Sequence, residues 1–147
     1  MSTTDRATIR GAVGALATTA LASIVADVQT HMPGAFHGAS PVLLVLSAGS
    51  VRTMETYGEL EPIVYLNLIS YTLLSMPDGS WVGEDAEDRM DAIEAGIARM
   101  ILDNHRHALW HTFTYAGRSR VEDVIVMDGF IYRRETIPVG LQLRSDT

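Results

Sequence analysis

The chain has 147 residues, no cysteine and a formal net charge of −7, and all eleven of its basic residues are arginine. This length fits one domain with a sizeable core. The lack of cysteine excludes disulfides, thiolate metal sites and cysteine nucleophiles. The negative charge disfavours non-specific binding to nucleic acids and to anionic membranes, since both kinds of binding depend on a basic surface.

Residues 4–30 are predicted to form an amphipathic helix, which the breaker sequence at residues 31–34 ends. Its apolar side chains recur at spacings of three and four: Ile9, Val13, Leu16, Ala20, Ile24 and Val28. The uncharged run 11–26 superficially resembles a signal peptide, but Thr18, Thr19 and Ser23 interrupt it and Asp5 precedes it. We therefore expect a soluble protein that is made inside the cell.

Two apolar runs, residues 41–47 and 62–75, are predicted to be buried strands. Both alternate sets of side chains in the second run are mostly apolar, so we expect a central strand with helices on one face and more protein on the other. The polar connection 51–61, within an arm at about residues 48–61, carries Arg52, Glu55, Tyr57 and Glu59. Its composition fits an extended hairpin arm and a mobile loop equally well.

A second helix is predicted at residues 84–103, and its acidic first turn complements the helix dipole. The same carboxylates could suggest a metal site, but a solvated face explains them better. Strands are predicted at 108–116, 120–127 and 130–144. Pro138 cannot donate to a ladder, which places the last strand at an edge or makes it bulged there. The pattern predicts an α+β fold, with a mostly antiparallel or mixed sheet of four to five strands and two helices on one face.

No set of residues completes a catalytic, cofactor or metal site. His105, His107 and His111 invite a metal interpretation, but no carboxylates complete the set and Arg106 would repel a cation. The glycines match neither a nucleophile elbow nor a phosphate-binding loop. Glu122 and Asp123 are strand neighbours, so they point to opposite faces and would not act on one substrate. A small metal-dependent hydrolase using the histidines remains a minor alternative.

The order and character of the elements resemble the tail terminator proteins of long-tailed bacteriophages, the family that includes the lambda tail terminator. The resemblance rests on the Ala-rich first helix and on four further segments, residues 41–46, 71–74, 84–93 and 132–139. It implies a non-enzymatic virion protein, assembled in the host bacterial cytoplasm, that uses no cofactor. Such proteins form a ring of six copies that caps the tail tube, stops its polymerisation and meets the head connector, while DNA passes through without sequence-specific binding. Other neck components, namely head-completion, stopper or tail-completion proteins, are the nearest alternative.

Two groups of charged residues are the predicted contacts between subunits, because a closed ring requires two different complementary surfaces. The acidic group is Glu84, Asp85, Glu87, Asp88 and Asp91, and the basic group is Arg118, Arg120, Arg133 and Arg134. The apolar second face of the sheet is expected to supply most of the affinity. The arm is expected to be mobile in the free subunit and to become ordered against a neighbouring subunit or the tail tube, at an entropy cost that the contact must offset.

Overall fold

The computed structural model describes residues 4–32, 40–54, 60–75, 83–125 and 131–144, without the side chains of residues 53–54, 60–61, 75, 83–85 and 124–125. The described residues form two helices and six strands in one mixed sheet. In chain order these are α1 (Arg6–Ala20), β1 (Asp27–Gln29), β2 (Val42–Met54), β3 (Leu60–Ser75), α2 (Gly83–Asp103), β4 (Trp110–Tyr115), β5 (Arg120–Ile125) and β6 (Ile131–Leu143). The predicted α+β class is confirmed.

The first helix is shorter than predicted. Asp5 caps α1 by accepting a hydrogen bond from the Thr8 backbone N–H, and the helix ends at Ala20 instead of continuing to residue 30. The chain then forms β1, which pairs in parallel with the start of β2, and the Ala26 N–H donates to the Pro41 carbonyl oxygen. The β-branched Val25 and Val28 favour an extended chain at this point, and the edge of β2 offers it hydrogen-bond partners. The sheet therefore has one strand more than the largest predicted number.

The sixteen-residue strand β3 is central, as predicted, and lies between β2 and β6 in an antiparallel arrangement. The connection between β2 and β3 is an extended hairpin arm as far as the structure describes it, because the two strands stay paired out to Met54 and Leu60. A bulge between Ser47 and Gly49 bends β2 at the base of this arm, and Gly49 has a φ of 112°, which a side chain would strain.

Of the two alternatives predicted for β6, an edge position or a bulge at Pro138, the edge position is wrong. β6 pairs with β3 on one side and with both β4 and β5 on the other. Pro138 lies between the residues that pair with β4 and those that pair with β5, and its carbonyl oxygen accepts a hydrogen bond from the Ala116 N–H in the connection between them. In a β-strand, the backbone nitrogen and the carbonyl oxygen of one residue face the same neighbouring strand. The Pro138 nitrogen, which carries no hydrogen, therefore faces the gap between β4 and β5.

Both helices pack on the same face of the sheet, as predicted. The core between them contains Ile9, Val13 and Ala17 of α1, Ile93, Ile97 and Met100 of α2, and one alternate set of side chains from the strands, including Val45, Leu66, Leu68, Val139 and Leu141. We call this side the covered face, and the opposite side of the sheet the open face. Neither helix packs on the open face.

Candidate subunit interface

The open face is apolar and uncharged over most of its described area. Register places Leu46, Asn67 and Pro138 in one row across the sheet, with Tyr65 and Gly140 in the next row. The side chains of Leu46, Ile63, Tyr65, Asn67, Ile69, Thr136 and Pro138 are all partly exposed. A contiguous apolar surface of this kind is typical of a protein-protein contact, since single exposed apolar side chains are common but extended patches are not.

A shallow concavity of about 310 Å³ lies on the open face. Gly140 forms part of its wall, and a Cβ atom there would lie 3.4 Å from two ring carbons of Tyr65. The absence of a side chain at this position therefore lets the Tyr65 ring lie close against β6. Ile63, Thr112 and Gln142 also line this concavity, so its surface is partly apolar and partly polar.

Buried side chains close the end of the open face near the start of β6. Tyr132 and Tyr71 contact each other edge to face, with ring centroids 6.2 Å apart, and pack with Val42, Leu44 and Leu73 in a second small core. Next to them the Arg134 guanidinium donates to Glu122 on β5 and, at 3.5 Å, to the Tyr71 hydroxyl oxygen. The hydrogen bonds to Tyr71 and to Glu122 raise the pKa of Arg134, and the hydrogen bond that Glu122 accepts from Arg134 lowers the pKa of Glu122.

Two of the four predicted interface arginines have partners inside the chain. Arg133, on the covered face, forms ion pairs with Glu87 of α2 and with Asp123 of β5, the latter at 2.9 Å. Arg134 pairs with Glu122 as described above. Both arginines therefore fasten β6 to its neighbours, and a change at either would alter the stability of the subunit as well as any contact between subunits.

The other two arginines, Arg118 and Arg120, are exposed at the edge of the sheet. They line an open concavity of about 790 Å³ together with Ser119, Val121 and Glu122. Within the described part of the chain, no carboxylate lies within ion-pair distance of either guanidinium.

The predicted acidic residues lie on α2. Asp88 and Asp91 are exposed, and Glu87 is the partner of Arg133. Glu84 and Asp85 belong to the first turns of the helix, and their side chains are outside the described part. In the arm, the Arg52 guanidinium donates to the Thr4 carbonyl oxygen at 2.9 Å and so braces the arm against the start of α1, while Glu55, Tyr57 and Glu59 lie outside the described residues.

The histidines that invited a metal interpretation are used differently in the structure. The His107 ring stacks on Trp110 with centroids 4.1 Å apart, and its Nδ1 atom accepts a hydrogen bond from the Leu109 N–H. His105 and His111 are exposed. Among the described residues, no three histidine or carboxylate side chains are placed to hold one metal ion.

Glu135 is a charged residue in the core that the sequence reasoning missed. It is only 7% exposed on the covered face, and one of its carboxylate oxygens accepts a hydrogen bond from the Ser119 hydroxyl at 2.9 Å. Burial raises the pKa of Glu135, and the nearby carboxylates of Glu94 and Asp91 raise it further. The alternation of β6 contained the signal, because Glu135 falls in the same set as Ile137, Val139 and Leu141.

A scan against protein-family models finds no match for this chain, and a search of curated proteins finds no significant similarity. In the part of the chain that the structure describes, no helix is long and apolar enough to cross a membrane.

Proposed function

We propose that this protein is a structural virion component that assembles with copies of itself into a ring, as tail terminators do, and caps the tail tube of a long-tailed phage. The observation that carries the proposal is the open face of the sheet. An apolar, uncharged surface spread over three adjacent strands is costly to leave in water and becomes favourable when a second molecule covers it.

A copy of the same chain is the partner that this surface fits best. The open face and the helix layer are on opposite sides of the sheet, so one copy can present its helices to the open face of the next. Such head-to-tail contacts close into rings when the rotation between copies permits. A ring of six copies would match the family that the element order resembles, and its two rims would be available to the tail tube and to the head connector.

The hairpin arm supports the same proposal. Beyond the bulge at Gly49, residues Ser50 to Arg52 of β2 are exposed and Val51 keeps 47% of its surface accessible. The hydrogen bond from Arg52 to Thr4 holds the base of this arm in one direction. A braced, exposed hairpin is suited to contact a neighbouring subunit or the tail tube, because little ordering entropy remains to be lost at its base.

The proposal is tested by the native mass of the purified protein together with negative-stain images. We expect rings of six copies of the 16.0 kDa chain. Ile69→Asp places a charge in the open face and should abolish the rings, whereas the control Met32→Asp changes an apolar side chain that is 59% exposed elsewhere and should leave them intact. A protein that stays monomeric at all accessible concentrations would contradict the proposal.

The capping activity needs a separate assay. Adding the wild-type ring to the polymerising tail tube protein of the same phage should stop tube growth and leave protein bound at one end of each tube. The Ile69→Asp monomer should leave tube growth unchanged. If intact rings neither bind the tubes nor limit their length, the protein assembles but is not a terminator.

A further inference from the structure

Two exposed arginines without an ion-pair partner lie at one end of the open face. Arg6, Arg89 and Arg106 are further exposed arginines without such a partner elsewhere in the described chain. Arg120 is the register partner of Thr136, which in turn pairs with Ile69 of the open face, so Arg120 belongs to this face. Ser119 points to the covered face, where its hydroxyl donates to Glu135. Arg118 is exposed beside Arg120 in the same concavity. The two guanidiniums therefore form a basic pair at the margin of an apolar surface.

A group of exposed carboxylates without ion-pair partners lies on α2, in the helix layer on the covered side of the sheet. Asp88, Asp91 and Glu94 are exposed on α2, and no basic side chain of the described part is within ion-pair distance of any of them. Ala92 and Ala95 are exposed beside these carboxylates, and their small side chains let a partner surface approach the helix closely. In this structure the two groups form no ion pair with each other.

We propose that α2 of one copy docks on the open face of a second copy, with Asp88 and Asp91 paired with Arg118 and Arg120. The inference rests on the self-assembly proposed above and assigns the two surfaces that meet. Each copy carries one surface of each kind on opposite layers, so the contact is heterologous and each copy keeps one surface for the next.

The apolar and the charged parts of this contact have different roles. Burial of Ile63, Tyr65 and Ile69 supplies most of the affinity, because it removes apolar surface from water. Exposed ion pairs contribute little to affinity, so the two pairs chiefly fix the orientation of the helix and the rate of association. Assembly should therefore depend strongly on the signs of the charges in the contact and only mildly on the salt concentration.

The test is a charge swap followed by native mass spectrometry. Arg118→Glu/Arg120→Glu and Asp88→Arg/Asp91→Arg each place like charges in the contact, and each should raise the concentration for half-assembly roughly tenfold or more. A mixture of the two variants should restore assembly, since every contact in an alternating ring then joins opposite charges. The control Arg6→Glu/Arg106→Glu makes the same change in net charge as Arg118→Glu/Arg120→Glu, at two exposed positions outside α2 and the open face, and should assemble like the wild type.

The possible outcomes separate this inference from the proposed function. If the wild type forms rings and both charge-swapped variants form them at the same concentration, the α2 contact is overturned and the ring proposal stands. Loss of assembly in each variant without rescue in the mixture would overturn the contact as well. A wild-type monomer would overturn both. Thermal unfolding checks that each variant is folded, and the neutral pair Arg118→Ala/Arg120→Ala should show a smaller loss of the same sign.

Discussion

The covered and the open faces of the sheet are formed by the same strands, and β3 shows the difference between them at adjacent residues. Leu68 is fully buried beneath the helices, whereas its neighbour Ile69 on the open face remains partly exposed. Both alternate sets of β3 are apolar, but the described chain covers only one of them with helices. Within the described residues, this difference supports the proposal that a second molecule covers the exposed part of the open face.

The largest expected effect is the difference in subunit stability between a truncation on the covered face and one on the open face. Leu68→Ala should lower the free energy of unfolding by about 2–5 kcal/mol, because it leaves a cavity under the helices. Ile69→Ala should cost the isolated subunit about 1 kcal/mol or less, but should weaken assembly. Chemical denaturation at a concentration below assembly, together with native mass, measures both effects. Equal losses of subunit stability would show that the open face is as well packed as the covered one.

Charged residues should respond to pH in opposite directions on the two faces. The pKa of Glu135 is raised from its ordinary value of 4.5, so the wild type loses stability as the pH rises from about 4.5 through the raised pKa. Glu135→Gln stays neutral and still accepts the hydrogen bond from Ser119. The variant should therefore be more stable than the wild type at neutral pH, and this advantage should disappear below pH 4.5.

Glu122 is the matched control for that pH dependence. Its pKa is lowered by Arg134, so its contribution to stability is present above about pH 4.5 and is lost as the pH falls through the lowered pKa. Glu122→Gln should be less stable than the wild type at neutral pH. Thermal unfolding between pH 3 and 8 tests both variants, and a parallel response of the two would contradict the assignment.

Removing a hydroxyl group from each face should give a smaller difference in subunit stability. The Thr72 hydroxyl is buried on the covered face without a hydrogen-bond partner in the described structure, so Thr72→Val should stabilise the subunit by about 1 kcal/mol. The Tyr71 hydroxyl, on the other face, accepts a hydrogen bond from Arg134, and Tyr71→Phe should cost about 0.5–1 kcal/mol. Urea unfolding compares the pair, and a loss of stability in Thr72→Val would show that its hydroxyl has a partner.

The smallest expected effect contrasts the two sides of α1. A Cβ atom at Gly11 would meet no other atom within 4 Å, whereas one at Gly14 would lie 2.7 Å from Thr30 Cγ2. Gly11→Ala should therefore raise the free energy of unfolding by about 0.5–1 kcal/mol through its higher helix propensity. Gly14→Ala should lose part or all of this gain to the clash. Identical melting temperatures for the two variants would contradict the difference in packing.

Sequence reasoning predicted those parts of the fold whose pattern is long and regular. The acidic-headed helix α2, the central strand β3 and the three C-terminal strands all lie close to their predicted positions, because each combines periodicity with clear breakers. The three-residue strand β1 was missed, since a segment this short has no period of its own. Pro138 was predicted to lie at an edge or at a bulge, because a sequence does not show that β4 and β5 would leave a gap beside it.

The candidate site was predicted less completely. The apolar open face followed from the alternation of β3, but the pairing of Arg133 with Glu87 and Asp123 brings together three elements that are distant in the chain. Periodicity places side chains on faces and does not say which charges meet. Of the predicted basic group, only Arg118 and Arg120 remain without an ion-pair partner in the described structure, and the contacts assigned to them stay a prediction.

The sequence by itself determined the fold class, the two apolar faces of β3 and the excess of acidic charge, because these depend on composition and on local periodicity. The tertiary structure alone decided which face the helices cover, which arginines are already paired and where Glu135 is buried. These outcomes depend on contacts between residues far apart in the chain, such as Ser119 on the β4–β5 connection with Glu135 on β6. Long-range contacts form only when the strands take their register, and register depends on both strands of a pair together, so one local segment does not determine it.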